Sequence, residues 1–215
     1  MSRILVKVCG LTRSEDVAAA VAAGVDALGF VFTASPRRVS AEKARELGRV
    51  IPRGVLRIGL FLNQNRDAIA RVVDTVELDM LQFHGSETEE QCSSFGLPYI
   101  KAVSMQNSRS VEQAEKDYPG ASGLLLDSHV TGKPGGSGKV FDWSLTRPGA
   151  KPVWLAGGLN AENVAEAIEC VRPYAVDVSS GVESSPGIKD AARIDAFVRS
   201  VRRKEQELMS DVKHV

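Results

Sequence analysis

An alternation constrains this chain more than any other feature of it. Short apolar runs and helix-patterned segments take turns about eight times along 215 residues. The strand candidates are 4–9, 26–32, 55–62, 78–83, 99–104, 123–127, 152–156 and 175–179. Between them lie EDVAAAVAAG, AEKARELGRVI, RDAIARVVDTV, ETEEQCSSFG, SVEQAEKDY, FDWSLT, AENVAEAIECV and DAARIDAFVRSVRR. Most of these place apolar residues three or four apart, the period of an amphipathic helix. Strict alternation of strand and helix makes the strands parallel, with right-handed crossovers. A mean repeat of roughly 27 residues, 215 divided by eight, holds one strand, one helix and two short loops. The expected fold is α/β, a single (β/α)8 barrel with eight parallel strands. An open doubly wound sheet is the alternative.

Local signals mark several boundaries. Ser14, Ser40 and Asn160 each precede a helical pattern with an acid in its first turn, as N-caps do. Gly24 and Gly96 stand where helices should stop. No Pro- or Gly-rich linker divides the chain, so residues 1–215 read as one domain. From about Arg202 the sequence RRKEQELMSDVKHV is polar and is expected to fray.

Composition narrows the partners. Lys plus Arg and Asp plus Glu are balanced at 27 each, so no basic excess points to nucleic acid. Any anion must be held by local groups rather than by the overall field. No run approaches the roughly 18 apolar residues of a membrane span, and the first residues lack the shape of a secretory signal. Cys9, Cys92 and Cys170 are odd in number and form no CxxC pair, which fits a reducing compartment. The expectation is a soluble, cytoplasmic protein.

The residues that could carry chemistry stand where the apolar runs end. In a parallel barrel the carboxyl ends of all strands open on one face. Cys9 closes ILVKVC and shares a strand face with Lys7. It reads either as a thiolate base or nucleophile, given a nearby positive field, or as a buried core cysteine. Asp127 closes GLLLD, where a carboxylate is costly to bury without partners. It reads as a general acid or as a cap for the next loop, and parity along a run of leucines cannot say which way it points. Gly132, Gly135, Gly136 and Gly138 follow directly, without the spacing of a P-loop, and look like an active-site lid. Gly157 and Gly158 end the seventh run, and Ser179, Ser180 and Gly181 end the eighth. Loops at those two places often bind phosphate through backbone N–H groups, and here the serine hydroxyls can donate too. Arg37 and Arg38 could clamp a carboxylate in fork geometry, or be ordinary surface arginines. His84, with Gln82 two residues earlier on the same face, is a candidate wall of the pocket. No residues stand at metal-ligand spacing.

Taken in order, KVCGLT, DALGFVF, SPRRVS, LQFHG, LLLDS, GGSGKVFDW, LAGGLNAENV and AVDVSSGVES resemble the phosphoribosylanthranilate isomerase family, over the chain to about residue 200. That resemblance implies a (β/α)8 barrel that carries out an irreversible Amadori rearrangement in tryptophan biosynthesis, with no metal and no cofactor. The implied substrate is N-(5-phosphoribosyl)anthranilate and the product 1-(2-carboxyphenylamino)-1-deoxyribulose 5-phosphate. Cys9 matches the family's general base, Asp127 its general acid, and Arg38 the arginine that engages the anthranilate carboxylate. The phosphate falls to Gly157, Gly158, Ser179, Ser180 and Gly181. Gly135 and Gly136 lie over the substrate, and Lys7, Gln82, His84 and Asp177 are expected to bind it. The partner is a phosphosugar, with neither nucleic acid nor membrane involved, and the protein is a monomer or a homodimer. Two rivals remain from the residues alone. One is a Schiff-base aldolase using Lys7 or Lys101; the other is a phosphosugar-binding barrel that performs no chemistry.

Overall fold

The computed structural model describes residues 3–105, 111–128, 142–143, 146 and 149–212. Eight strands close into an all-parallel barrel in sequence order: β1 Leu5–Cys9, β2 Ala27–Val31, β3 Leu56–Phe61, β4 Met80–Phe83, β5 Tyr99–Ser104, β6 Gly123–Asp127, β7 Val153–Leu155 and β8 Ala175–Val178. β8 pairs back onto β1, with Asp177 opposite Lys7, so the barrel is closed rather than open. Every strand lies inside the range expected for it.

Strand parity builds two cores. Side chains pointing outward from the barrel, among them Val6, Val8, Leu28, Phe30, Phe83, Leu124, Leu126 and Val176, pack under the helices. Those pointing inward form a separate, smaller cluster of Ala27, Ile58, Ile100, Ala102, Leu125, Trp154, Ala156 and Ala175. Leu125 inward and its two neighbours outward settle the parity that GLLLD hides. Asp127, two residues on from Leu125, therefore faces the interior.

Seven helices are described: α1 Ser14–Ala22, α2 Ala41–Gly48, α3 Arg66–Thr75, α4 Glu89–Ser93, α5 Val111–Asp117, α6 Val164–Val171 and α7 Ala191–Val212. Ser40 caps α2 by accepting from the Lys43 N–H at 3.1 Å. Gly24 and Gly96 take positive φ just past the ends of α1 and α4. Ser14 is not a cap: Arg13 precedes the helix and Ser14 is its first residue. Asn160 holds the turn before α6, accepting from the N–H groups of Glu162 and Asn163 at 3.0 Å each. The expected FDWSLT helix falls mostly outside the described residues. A short hairpin, β9 Glu183–Ser185 with β10 Ile188–Lys189, follows β8.

The tail departs from expectation. It does not fray at Arg202; α7 continues to Val212. Val198, Val201 and Leu208 are buried, one apolar stripe at helical spacing. Between them Glu205 accepts the Ile4 N–H at 2.6 Å, and Arg202 donates to the Ile4 carbonyl at 2.6 Å and to Asp26 Oδ2 at 2.9 Å. Buried backbone groups at the start of β1 need partners, and this helix supplies them. Composition hid the contact because the partners are about 200 residues away in sequence. Replacing Glu205 by Ala leaves the Ile4 N–H orphaned and should cost about 1–3 kcal/mol. A lower urea midpoint with unchanged slope is the expected readout.

Candidate active site

One pocket occupies the carboxyl-end face of the barrel. Cys9, Arg37, Gln82, His84, Asp127 and Asp177 line it, with Gly157–Leu159 from the β7 loop and Ser179 and Ser180 from the β8 loop. Val31, Leu60 and Leu62 form an apolar wall on the β2–β3 side. Cys9 comes from the end of β1 and Asp127 from the end of β6, so thiol and carboxyl approach from separated strands.

The two arginines change places relative to expectation. Arg37 lines the pocket, whereas Arg38 is exposed in a separate groove between α2 and α3. Arg38 bridges to Val31 at the backbone, and adjacent residues of an extended segment point to opposite sides. Space decides which one turns inward. A Cβ at Gly10, whose φ is +80°, would meet Arg37 Cδ at 2.5 Å, so the glycine of KVCG makes room for the stem of Arg37. Glu183 holds the guanidinium bidentately: Nε donates to Oε1 and Nη2 to Oε2, both at 2.7 Å. The opposite Nη1–Nη2 edge remains for a planar anion.

Glu183 and Lys189 are functional neighbours that sequence reasoning missed. Lys189 donates to Glu183 at 2.8 Å and to the Ser179 carbonyl at 3.1 Å. Burial works against the Glu183 carboxylate, but Arg37 and Lys189 outweigh it and hold its pKa below the ordinary value. Burial lowers the pKa of Lys189, partly offset by Glu183 and Cys9. An acid and a lysine flanking SSPGI resemble any surface hairpin, so sequence carried no signal for this pair.

Ser179 also differs. Its hydroxyl donates to the Cys9 carbonyl at 2.9 Å, which ties the β8 loop to β1 and spends its only proton. Ser180 also lines the pocket, while Gly181 packs against the Leu159 carbonyl. Gly157 and Gly158 lie at the pocket with φ +86° and +71°. Gly135 and Gly136 lie outside the described residues.

Lys7 is fully buried beneath the pocket rather than in its wall. It donates to Asp177 Oδ2 and to Gln82 Oε1 at 2.9 Å each. Burial opposes its charge, but Asp177 and Cys9 overcome this and raise its pKa above the ordinary value. Lys101 is also buried and donates to Glu87 and to backbone carbonyls around Gly85. A Schiff-base lysine needs the reverse of Lys7, a depressed pKa and an open path, so neither lysine fits the aldolase alternative. Burial pushes the Cys9 thiol up, Lys7 and Lys189 pull it down, Asp177 pushes it up, and the net shift is upward. Gln82 Nε2 lies 3.1 Å from His84 Nδ1, and His84 Nε2 lies 3.4 Å from Asp127 Oδ2.

A sequence profile described as N-(5'phosphoribosyl)anthranilate (PRA) isomerase matches residues 6–200. The chain is 51% identical over 209 residues to the N-(5'-phosphoribosyl)anthranilate isomerase of Pseudomonas paraeruginosa, covering 96% of this chain and 99% of that one. It is similar to the crystal structure of phosphoribosyl anthranilate isomerase from Thermotoga maritima, with 41% identity, a TM-score of 0.83, and 93% and 99% of the two chains covered. A phosphoribosyl anthranilate isomerase in complex with reduced 1-(o-carboxyphenylamino)-1-deoxyribulose 5-phosphate is similar at 40% identity and TM-score 0.79, with the same coverage.

At Gly157 a Cβ would lie 2.6 Å from the Ser128 N and 2.9 Å from Asp127 Oδ1, at a φ of +86°. Gly157→Ala should therefore destabilise the protein by more than about 1 kcal/mol, since an L-residue with φ > 0 is strained even without the clash. A urea midpoint equal to the parent's would refute that close approach.

Proposed function

Because the chain belongs to the N-(5'-phosphoribosyl)anthranilate isomerase family, we propose that this pocket performs the family's Amadori rearrangement with Asp127 as general acid and Cys9 as general base. One observation carries the assignment. A carboxyl and a thiol share a pocket whose one end is apolar with an arginine and whose other end is two glycine–serine loops. That asymmetry matches N-(5-phosphoribosyl)anthranilate, an aromatic carboxylate joined through a ribose to a phosphate. The anthranilate ring rests on Val31, Leu60 and Leu62, its carboxylate on the Nη1–Nη2 edge of Arg37. The phosphate lies at Gly157, Gly158 and Ser180, where backbone and hydroxyl donors face it.

The chemistry follows from the placement. Asp127 donates a proton to the ribose ring oxygen as the C1'–O4' bond breaks, and the anilino nitrogen lone pair forms a cationic C1'=N Schiff base. The Cys9 thiolate takes the proton from C2'; those electrons form C1'=C2' and return the C=N pair to nitrogen. The neutral enolamine then moves its enol proton to C1', giving the ketone. Atoms and charge balance, as an isomerisation requires. Asp177 Oδ1, buried and without a hydrogen-bond partner among the described residues, is an acceptor for a ribose hydroxyl. Burial that raises the thiol pKa keeps Cys9 reactive only when positive charge is near. The Lys7 ammonium supplies part of it, and the Schiff-base cation supplies more at the step where it is needed. The three unpaired cysteines agree with a cytoplasmic site of action.

The deciding experiment follows anthranilate fluorescence while phosphoribosylanthranilate, generated in situ, is consumed. Signal should fall faster than spontaneous breakdown, and Asp127→Asn and Cys9→Ser should each lose roughly 10²–10⁴-fold in kcat, the usual contribution of a positioned acid or base. Near-parent rates in either variant would remove that residue from its role. Arg37→Met should raise KM about 10–100-fold, the equivalent of about 1.5–3 kcal/mol for a charged hydrogen-bonded contact. Arg38→Met should leave KM within about twofold; the reverse pattern would return the carboxylate to Arg38.

A further inference from the structure

We propose that Lys7 is a positioning residue for both members of the acid–base pair: its ammonium faces Cys9 and, through Gln82, dictates which nitrogen of His84 carries the proton beside Asp127. This rests on the assignment of Cys9 and Asp127 above.

The chain of reasoning uses only donor and acceptor chemistry. A lysine ammonium has three donors and no acceptor. The Gln82 atom 2.9 Å from Lys7 Nζ must therefore be the amide oxygen, and the other end of the amide, its NH2, must face His84. An NH2 group only donates, so His84 Nδ1, 3.1 Å away, must accept and cannot carry a proton. The neutral ring then holds its single proton on Nε2, which lies 3.4 Å from Asp127 Oδ2. An imidazolium would need protons on both nitrogens and would set N–H against N–H at Gln82. The Lys7 charge, passed through one amide, thus holds His84 neutral.

That outcome suits an acid. A neutral imidazole carries its N–H on Nε2, 3.4 Å from Oδ2, a separation that a small closure turns into a hydrogen bond. That bond would orient the Asp127 carboxyl and leave its proton on Oδ1, which accepts from Ser128 Oγ at 3.5 Å beside Gly157 at the pocket. An imidazolium in the same place would favour the carboxylate and stop proton donation. The other charged groups close to His84 are consistent with this state. Asp177 on β8 is compensated by Lys7, and Lys101 on β5 pairs with Glu87 from the β4 loop. Around Cys9, Lys7 and Asp177 lie below, with Lys189 and Arg37 at the rim. Lys7 and its partner Asp177 reach both ends, and of the two Lys7 is the one hydrogen-bonded to Gln82. Gln82 lines the pocket and Lys7 lies beneath it, and the hydrogen bond between them is what links the two ends.

The test reads the tautomer directly. The chain has three histidines, so ¹⁵N-histidine spectra with a His84→Asn reference identify the His84 ring. The parent should show the neutral Nε2–H tautomer. Gln82→Met leaves the Lys7–Asp177 pair intact but removes the link. It should give a mixed or protonated ring and a kcat about 10–100-fold lower, by analogy with the loss of an outer partner from a metal-bound histidine, with KM within about twofold. Gln82→Glu should place the proton on Nδ1. Inactivation by iodoacetamide reports Cys9 separately: its rate should rise with pH past the ordinary thiol value of about 8.5 and be unchanged in Gln82→Met. In Lys7→Met it should shift to still higher pH; should that variant not fold, Lys7→Met/Asp177→Asn removes both buried charges together. A parent ring protonated on Nδ1, or a Gln82→Met enzyme with the parent's tautomer and kcat, would overturn the proposal. Full activity in Asp127→Asn or Cys9→Ser would instead overturn the underlying acid–base assignment.

Discussion

Closure of the barrel at the β1–β8 seam is the constraint on which the rest of this structure depends. Lys7 and Asp177 stand opposite each other across that seam and form a buried ion pair 2.9 Å apart. Losing one partner of such a pair typically costs about 3–5 kcal/mol, because the other charge is left buried alone. A pair of apolar residues would hold the seam as well or better. What apolar residues would not supply is a fixed positive charge under the mouth of a barrel.

From that seam the strand pleat does the placing. Inward positions recur every second residue, so Cys9 stands above Lys7, His84 above Gln82, and Asp127 above Leu125. Each reactive group thus rests on an inward neighbour that is itself packed or hydrogen-bonded, and strand ends are more rigid platforms than loops. The rim is built differently. Arg37 from the β2 loop and Ser179, Glu183 and Lys189 from the segment between β8 and α7 are joined by hydrogen bonds. Cys9 and Asp127 depend on the sheet for their placement, whereas Arg37 depends on a hairpin that lies outside it.

Much of the site was legible because the relevant signals are local. A polar residue directly after an apolar run marks a strand end, and eight such ends in alternation with helices imply one shared face. Cys9, Asp127, His84, Gly157, Gly158 and Ser180 were all located this way and all line the pocket. Asp127 could be located but not aimed, since apolar residues on both faces of a parallel strand erase the period of two. The partners of Lys7 and Ser179 could not be read, because the groups their side chains bind lie in other strands.

The sequence by itself determined the order and extent of the strands, their parallel arrangement, and the fact that a thiol, a carboxyl and two glycine–serine loops would meet at one end. These follow from hydropathy period and turn chemistry, which act over a few residues. Closure into a barrel was settled by the pairing of β8 with β1. Only the tertiary structure decided that Arg37 rather than Arg38 turns inward, since Gly10 yields the space and Glu183 the partner. It alone decided that Asp127 faces the pocket, that Lys7 works from below, and that the polar tail docks as a helix on the start of β1. Each of these depends on a hydrogen bond, ion pair or packing contact between residues tens to hundreds of positions apart, and no pattern within a single segment encodes such a contact.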